Sequence, residues 1–280
     1  MGIQSLQDEV LQNEGRRGGR DESIRALHLI SKEWEGEVSL DFIAGLKGQT
    51  CETLQRDLTF VSQFAPHHIS LYELVLHDDE NGSRNKNASD EAREKREKIW
   101  ECGAEVLVRS GYVQYEVSNF SYGGKFECEH NKAYWKMRDY VGVGAAATGN
   151  VKMLGKGSEQ GHRATRTCGV RDVALYMAQE KRKEAYEWEE VSERELLKDA
   201  LLMGFRLVEG VDDEEFAECF GFSLFELIPK TINKWAKMGL FVYEEYSKGR
   251  QAKLTKEGMM LLDTFLCDAF EEMDAGHDGC

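Results

Sequence analysis

One segment sets the architecture of this chain: Ser39-Leu-Asp-Phe-Ile-Ala-Gly-Leu-Lys-Gly-Gln-Thr50. The apolar run at 40–43 is typical of a buried strand, and the glycines after it predict a turn. Thr50 is a residue type that caps helices, so we expect a helix to begin at Cys51. The strand also carries a carboxylate, Asp41, which is costly to bury without a hydrogen-bond partner. Asp41 is therefore either part of a ligand site at the strand end or a cap for the next helix.

Helical and strand patterns alternate through residue 120. Three helix–strand units in succession imply parallel strands joined by helical crossovers, and they predict an α/β barrel or open sheet. The predicted helices begin at Asp21, Cys51 and Ser89, and the predicted strands are 37–43, 68–76 and 112–118.

The pattern changes after residue 120. Residues 121–170 are rich in glycine and aromatic residues and are predicted to be irregular, with a loop between domains at 155–161. The glycines at 142–149 fit neither the dinucleotide fingerprint nor the P-loop, so close backbone packing explains them better. Beyond residue 191, capping residues at Ser192, Asp212 and Ser223 predict successive helices, followed by a hairpin and a last helix. Three helices and a hairpin give a winged-helix-like outline.

Composition excludes several function classes. The chain has 280 residues, 41% of them hydrophobic, and a net charge of −15. Residues 191–272 hold 17 acids and 10 bases, so we predict no nucleic-acid partner and interpret the C-terminal outline as a packing or protein-contact domain. No apolar run is long enough to cross a membrane, and the first residues lack a secretion signal, which favours the cytoplasm.

The cysteine pattern excludes a locally encoded metal site. There are seven cysteines, and no two of them form a Cys-x-x-Cys pair. This spacing argues against a disulfide framework, a zinc knuckle and a local iron–sulfur motif. We therefore predict no metal ligands in this chain and expect most of the thiols to fill gaps in the core.

Several segments carry, in order, the motifs of one family. These segments are Gly2-Ile-Gln-Ser5, Asn13-Glu-Gly-Arg16, Ser39 to Thr50, His68-Ile-Ser-Leu-Tyr-Glu-Leu74, Gly111-Tyr-Val-Gln-Tyr-Glu-Val-Ser-Asn-Phe120, Glu129-His-Asn-Lys-Ala-Tyr-Trp135 and Asp139-Tyr-Val-Gly-Val-Gly144. They resemble the radical S-adenosylmethionine family that contains the oxygen-independent coproporphyrinogen III oxidases and the HemW haem chaperones. The motifs at 114–120 and 129–131 favour HemW over the oxidases. Runs at 204–210, 239–241 and 254–258 resemble the family's C-terminal domain.

The resemblance implies a fold and two cofactors. It implies a partial (β/α) barrel over residues 1–165, a mostly helical, winged-helix-like C-terminal domain over 166–272, and a tail at 273–280. It also implies S-adenosylmethionine bound near a [4Fe–4S] cluster.

The resemblance also implies cofactor-binding residues. By position, Gln4, Arg16 and Asp41 match residues that contact S-adenosylmethionine, and Val75 and Thr148 fall where the backbone passes the adenosine. The chemistry is suitable, because a carboxylate accepts hydrogen bonds from ribose hydroxyls and a guanidinium can pair with the methionine carboxylate. The alternatives are a solvated charge for Arg16 and a strand cap for Gln4.

The chain also departs from the family. It lacks the Cys-x-x-x-Cys-x-x-Cys motif that holds the cluster, Lys47 replaces a proline, and residues 145–148 replace a Pro-Gly-Ala-His run. Without three thiolates no cluster is held in the family's way, so we expect this chain alone to be inactive. We interpret it as a fragment, a product of an alternative start, or a degenerate paralogue.

Three functions remain open from the sequence. The first is HemW-type handling of haem or porphyrin, with His68, His77 and His130 as candidate axial ligands and a haem-accepting protein as partner. The second is coproporphyrinogen III oxidation, and the third is a cluster-free scaffold. An incomplete barrel leaves strand edges unpaired, so the sequence is also compatible with an oligomer.

Overall fold

The computed structural model describes residues 1–74, 90–152, 162–178, 182–246 and 249–275. Within these ranges the chain forms two compact units, Met1–Cys128 and Glu129–Cys280. The predicted linker at 155–161 lies outside the described residues. The predicted domain boundary after residue 165 falls inside a strand of the second unit, and it stays a prediction.

The first unit is a five-stranded sheet with helices. Its elements are β1 (Gly2–Gln4), α1 (Asp8–Asn13), α2 (Arg20–Glu33), β2 (Ser39–Ala44), α3 (Cys51–Ser62), β3 (His68–Glu73), α4 (Asp90–Arg109), β4 (Tyr112–Gln114) and β5 (Asn119–Tyr122). The strand order is β1-β2-β3-β5-β4, with β1, β2 and β3 parallel. This mixed arrangement confirms the predicted α/β class.

The expectation of one strand over 112–118 was wrong. The chain turns after β4 and returns as β5, which is antiparallel to both β3 and β4 and lies between them. The reason is that Tyr115 and Glu116 are both buried, so this run breaks the alternation that a single extended strand would need.

Strand β2 buries one face only. Leu40, Phe42 and Ala44 are fully buried, whereas Asp41 and Ile43 are half-buried on the other face. Period-2 alternation of this kind places the Asp41 carboxylate on the face opposite the apolar core.

The turn after β2 is closed by one side chain. Gln49 is buried, accepts hydrogen bonds from the amides of Gly45 (2.7 Å) and Leu46 (3.3 Å), and donates to the Ile43 carbonyl (3.0 Å). The predicted cap is confirmed, because the Thr50 hydroxyl accepts from the Thr53 amide and α3 begins at Cys51.

Within the described ranges, the second unit contains two three-stranded antiparallel sheets and eight α-helices, besides the short 3-10 turn Arg182–Ala185. Its elements are α5 (Glu129–Trp135), β6 (Thr148–Lys152), β7 (His162–Gly169), α6 (Val173–Ala178), β8 (Tyr186–Ser192), α7 (Glu193–Gly204), β9 (Val211–Asp212), α8 (Asp213–Phe220), α9 (Leu224–Leu227), α10 (Pro229–Lys237), β10 (Phe241–Tyr246), β11 (Gly249–Leu254), α11 (Lys256–Met259) and α12 (Leu262–Ala275). The strand orders are β6-β7-β8 and β10-β11-β9.

The first of these sheets was not predicted. Residues 121–170 were expected to be irregular, yet β6 and β7 lie within them and β8 follows. Among the described side chains of this sheet, Ala164 and Val191 alone belong to its small apolar core, which explains why the sequence shows no clear alternation there.

The helices after residue 191 begin where they were predicted. Ser192 and Glu195 form a capping box, and Asp212 and Ser223 cap α8 and α9 through their side chains. Their core is aromatic: the Phe265 ring packs edge-on against Phe205 at 4.7 Å between centroids. No described helix has the length and apolarity needed to cross a lipid bilayer.

Candidate functional site

Two side chains of the first unit meet at Gly2. A Cβ atom on Gly2 would lie 2.8 Å from Nε2 of Gln4 and 3.7 Å from Nη2 of Arg16. Gln4 reaches this point from a left-handed backbone conformation, with φ of 68°, which is uncommon for a residue other than glycine. A glycine at position 2 therefore leaves room for the Gln4 carboxamide.

Asp41 lies on the neighbouring strand at the same level. Gly2 pairs with Asp41 in the parallel β1–β2 register, and the Asp41 amide donates to the Met1 carbonyl at 3.0 Å. The Asp41 side chain is 34% exposed. The structure thus brings Gln4, Arg16 and Asp41 to one edge of the sheet, although 12 and 25 residues of chain separate them in turn.

These three groups fit S-adenosylmethionine in kind. Oε1 of Gln4 is buried and has no hydrogen-bond partner, so it is an acceptor that a ligand could satisfy. The exposed Arg16 guanidinium suits a carboxylate, and the Asp41 carboxylate suits hydroxyl donors.

The other two predicted contacts cannot be placed beside them. Val75 lies outside the described residues. Thr148 begins β6 in the second unit and is exposed. The cofactor roles of all five residues remain predictions.

A buried polar network borders Asp41. Both ring nitrogens of His68 are hydrogen-bonded, Nδ1 with the Ser39 hydroxyl and Nε2 with the Tyr115 hydroxyl, each at 2.9 Å. The Tyr115 oxygen also accepts from the Cys128 amide at 3.1 Å, so Tyr115 joins His68 to the backbone of Cys128. Burial lowers the pKa of His68, and the negative charge of Asp41 only partly counteracts this, so the ring is held neutral.

Two polar residues that the sequence did not reveal lie beside Asp41 on the next two strands of the sheet. Asp41 pairs with Ser70 on β3, and Ser70 pairs with Asn119 on β5. Ser70 and Asn119 are both buried, and Oδ1 of Asn119 has no hydrogen-bond partner. The available signal was the placing of polar residues at alternate positions of strands whose other positions are apolar.

Asp57 on α3 anchors the segment that follows Gln4. Its buried carboxylate accepts hydrogen bonds from the Ser5 hydroxyl (2.9 Å), the Leu6 amide (2.8 Å) and the side-chain amide of Gln7. Burial raises the pKa of Asp57 even though these three donors oppose the shift. The carboxylate therefore fixes where β1 ends.

The second unit presents an aromatic group on α5. The exposed His130 ring lies edge-on to Tyr134, with 4.8 Å between centroids, and Tyr134 lies edge-on to Tyr140 at 4.5 Å. One residue further, Trp135 carries the Arg206 guanidinium over its ring at 5.1 Å.

A cavity of about 710 Å³ lies beside this helix within the second unit. Its walls include Trp135, Met137, Leu207 and Phe216, with acidic residues at the rim. The indole N–H of Trp135 is buried without a hydrogen-bond partner. The volume falls in the range of small-molecule pockets.

The iron–sulfur cluster that the resemblance implies does not fit the residues present. Among the described residues, no three His, Cys, Asp or Glu side chains are grouped so that they could hold a metal ion. The six cysteines in the described ranges are distributed over both units. No step through a cluster is assigned to this chain.

Known proteins resemble this chain over most of its length. Residues 191–261 match the family described as HemN C-terminal domain. The chain is 28% identical over 268 residues to the heme chaperone HemW of Bacillus subtilis, covering 93% of this chain and 66% of that protein. It is 34% identical over 215 residues to the heme chaperone HemW of Synechocystis, covering 75% and 50%.

A mitochondrial relative and a solved structure extend the comparison. The radical S-adenosyl methionine domain-containing protein 1 of Danio rerio is 30% identical over 287 residues, covering 98% of this chain and 62% of that protein. The structure of coproporphyrinogen III oxidase (HemN) from Escherichia coli superposes with a TM-score of 0.70 at 18% identity, covering 96% of this chain and 63% of that one. The chain thus spans about half to two-thirds of the length of these relatives.

Proposed function

Because the chain belongs to the HemW/HemN-like radical S-adenosylmethionine family, we propose that it is a HemW-type protein that handles haem or porphyrin and binds S-adenosylmethionine in its first unit. The observation that carries this proposal is the meeting of Gln4 and Arg16 at Gly2, opposite Asp41. The relatives bearing the HemW name are heme chaperones, and that activity is proposed for this chain by similarity.

The proposal includes the finer architecture. Three parallel strands with a helical crossover between β2 and β3 support a partial (β/α) barrel over residues 1–165. Helices α7, α8 and α10 with the β10–β11 hairpin support a winged-helix-like domain over 166–272, followed by a tail at 273–280. Cytoplasmic location, self-association and a haem-accepting partner remain predictions.

The residues of the first unit would hold S-adenosylmethionine by its polar groups. Arg16 would pair with the methionine carboxylate, Asp41 would accept from the ribose hydroxyls, and Oε1 of Gln4 would accept from a remaining N–H. When bound, S-adenosylmethionine supplies a reactive sulfonium centre. Asp57 acts indirectly, because it fixes the segment that follows Gln4.

The test for the first unit is calorimetric titration with S-adenosylmethionine. Replacing Arg16 by Ala should weaken binding about tenfold or more, because a charge-assisted hydrogen bond is worth roughly 1.5–3 kcal/mol. Arg17→Ala is the matched control, since Arg17 is the adjacent exposed arginine. Equal losses in both variants, or no saturable binding by the wild type, would rule out this site and favour a scaffold.

Haem binding is proposed for the second unit, with His130 as axial ligand. Of the three histidines predicted, His77 lies outside the described residues, and both nitrogens of His68 are already hydrogen-bonded. His130 is exposed, and the interaction found for its ring is the edge contact with Tyr134. An imidazole nitrogen of this residue can therefore reach iron without breaking a buried network.

The test is a haem titration followed by the Soret band. We expect a shifted band for the wild type and loss of that shift in His130→Ala. His28→Ala is the control, because His28 is also exposed and also makes an edge contact, with Phe64 at 5.1 Å. A wild type with no Soret shift at stoichiometric haem would end the proposal for this chain.

A further inference from the structure

Two cysteines that are far apart in sequence lie together in the first unit. Cys51 is the first residue of α3, and its Sγ lies 3.6 Å from the carbonyl oxygen of Lys98 on α4. Cys102 is one helical turn beyond Lys98. Side chains in α-helices lean toward the N-terminus, so the Cys102 thiol lies over the turn that carries this carbonyl. The Cys51 thiol is also near enough to help raise the pKa of Cys102.

The close approach of α3 and α4 depends on Gly103. A Cβ atom at this position would lie 2.9 Å from Cδ2 of Leu54 and 3.2 Å from Cδ1 of Leu58. Leu54 and Leu58 are one and two turns along α3 from Cys51, and both are fully buried. The contact that joins the two thiols therefore belongs to the packed core of the unit.

Neither thiol is fully buried. Cys51 and Cys102 are both free and half-buried, so small reagents can reach them. Since disulfide formation needs short Cα–Cα and Cβ–Cβ distances, two thiols that face the same turn of α4 on closely packed helices are placed to meet this requirement.

We propose that Cys51 and Cys102 form a dithiol modification site, which small-molecule disulfides oxidise reversibly to an intramolecular disulfide. The Cys51 thiolate attacks one sulfur of the reagent RSSR, and the S–S bond of the reagent breaks to release one RSH. Cys102 then attacks the Cys51 sulfur of the mixed disulfide and releases the second RSH. One reagent disulfide is reduced, two protein thiols are oxidised, and their two protons leave on the released thiols.

The surroundings of Cys102 suit the second role. Burial, the Cys51 thiol and the charge of Glu105 raise the pKa of Cys102 to about 11, so this thiol is protonated at neutral pH. A protonated thiol is a poor first nucleophile, because the thiolate is the attacking form. Once Cys51 is held in a mixed disulfide it no longer raises the pKa of Cys102, and the Cys102 thiol loses its proton before it attacks the adjacent Cys51 sulfur. This division makes Cys51 the attacking residue.

The test is oxidation of the full chain by glutathione disulfide, followed by alkylation and peptide mass mapping. We expect a Cys51–Cys102 cross-linked pair and a loss of two of the seven titratable thiols, both reversed by dithiothreitol. Cys102→Ser should stop at one glutathione attached to Cys51. Cys168→Ser is the matched control, because Cys168 is also half-buried and also contacts a carbonyl, that of Gly169 at 3.5 Å. This variant should still form the Cys51–Cys102 cross-link.

A second measurement avoids both oxidation and dependence on one variant. Phenylarsine oxide binds pairs of adjacent thiols, so the reduced wild type should retain one arsenical that maps to Cys51 and Cys102. Glutathione confined to the exposed Cys219 and Cys267, with no cross-link in the wild type, would overturn the proposal. Retention of the arsenical by Cys51→Ser would overturn it as well.

Discussion

Replacing Asp57 by Ala should destabilise the N-terminal segment of the chain more than a substitution at an exposed position does. The carboxylate is 2% exposed and joins α3 to the segment after β1 through three donors. In the variant, the Ser5 hydroxyl and the Leu6 amide lose their acceptor while both residues stay buried, at 0% and 2% exposure.

The expected cost follows from these two donors. A buried donor left without a partner costs about 1–3 kcal/mol, so two of them cost about 4 kcal/mol at a middle value. The third donor, from Gln7, is partly exposed and adds little, because water can replace Asp57. Removing the buried charge gives back part of the loss, so we expect a decrease of about 3 kcal/mol in the free energy of unfolding of the first unit.

Segment-resolved hydrogen exchange is the suitable assay, because the chain contains two units and a single unfolding transition cannot be assumed. Peptides covering β1 and α3 should exchange faster by the factor that corresponds to the lost stability. Asp57→Asn keeps one acceptor oxygen and should lose about half as much. Thr59→Ala, an exposed position on the same helix, is the control and should change little.

The reasoning would be refuted by one pattern of results. If Asp57→Ala lowered protection of these peptides by less than about 1 kcal/mol, or no more than Thr59→Ala does, the three hydrogen bonds would not anchor the segment.

Two further predictions concern the same region. Gly2→Ala should leave stability within about 0.5 kcal/mol, because the new methyl group meets only the flexible end of Gln4, yet it should weaken S-adenosylmethionine binding by displacing that carboxamide; a loss of folding by circular dichroism would contradict this. Since burial raises the pKa of Asp57 above its ordinary 3.8, the stabilising contribution of its protonated form is present below pH 3.8 and is lost as the pH rises through the folded-state pKa. The protection of the β1 and α3 peptides in the wild type relative to Asp57→Asn should therefore fall from acid toward neutral pH in hydrogen exchange corrected for its intrinsic pH dependence, and a flat or rising difference would show that the pKa is not raised.

Short-range sequence patterns predicted where several helices begin, whereas the pairing of strands depends on contacts between residues far apart in the sequence. Thr50, Ser192 and Asp212 could be identified as caps because a cap depends on residues two or three positions away. The reversal between β4 and β5 was missed because apolar and polar residues alternate in the sequence at 112–118, which is typical of one strand. The burial of both Tyr115 and Glu116 is visible only in the structure. The sheet β6-β7-β8 was missed because it buries few apolar residues.

The candidate site was predicted in part for the same reason. Gln4, Arg16 and Asp41 were identified through a family resemblance, and the structure supplied the register that brings them to one edge. Ser70 and Asn119 entered only when the β3–β5 pairing was known. No sequence rule relates Cys51 to Cys102, since their contact depends on how closely two helices approach.

The close approach of α3 and α4 depends on the absence of a side chain at Gly103. At Gly103 a methyl group would meet Leu54 and Leu58 of α3 and also Leu71 of β3, at 2.9 Å, so three elements would have to separate at once. Any such widening would also part the two sulfur atoms. The reactivity proposed for this thiol pair therefore depends on the spacing of the apolar layer beneath it, so a substitution that touches neither cysteine can abolish it.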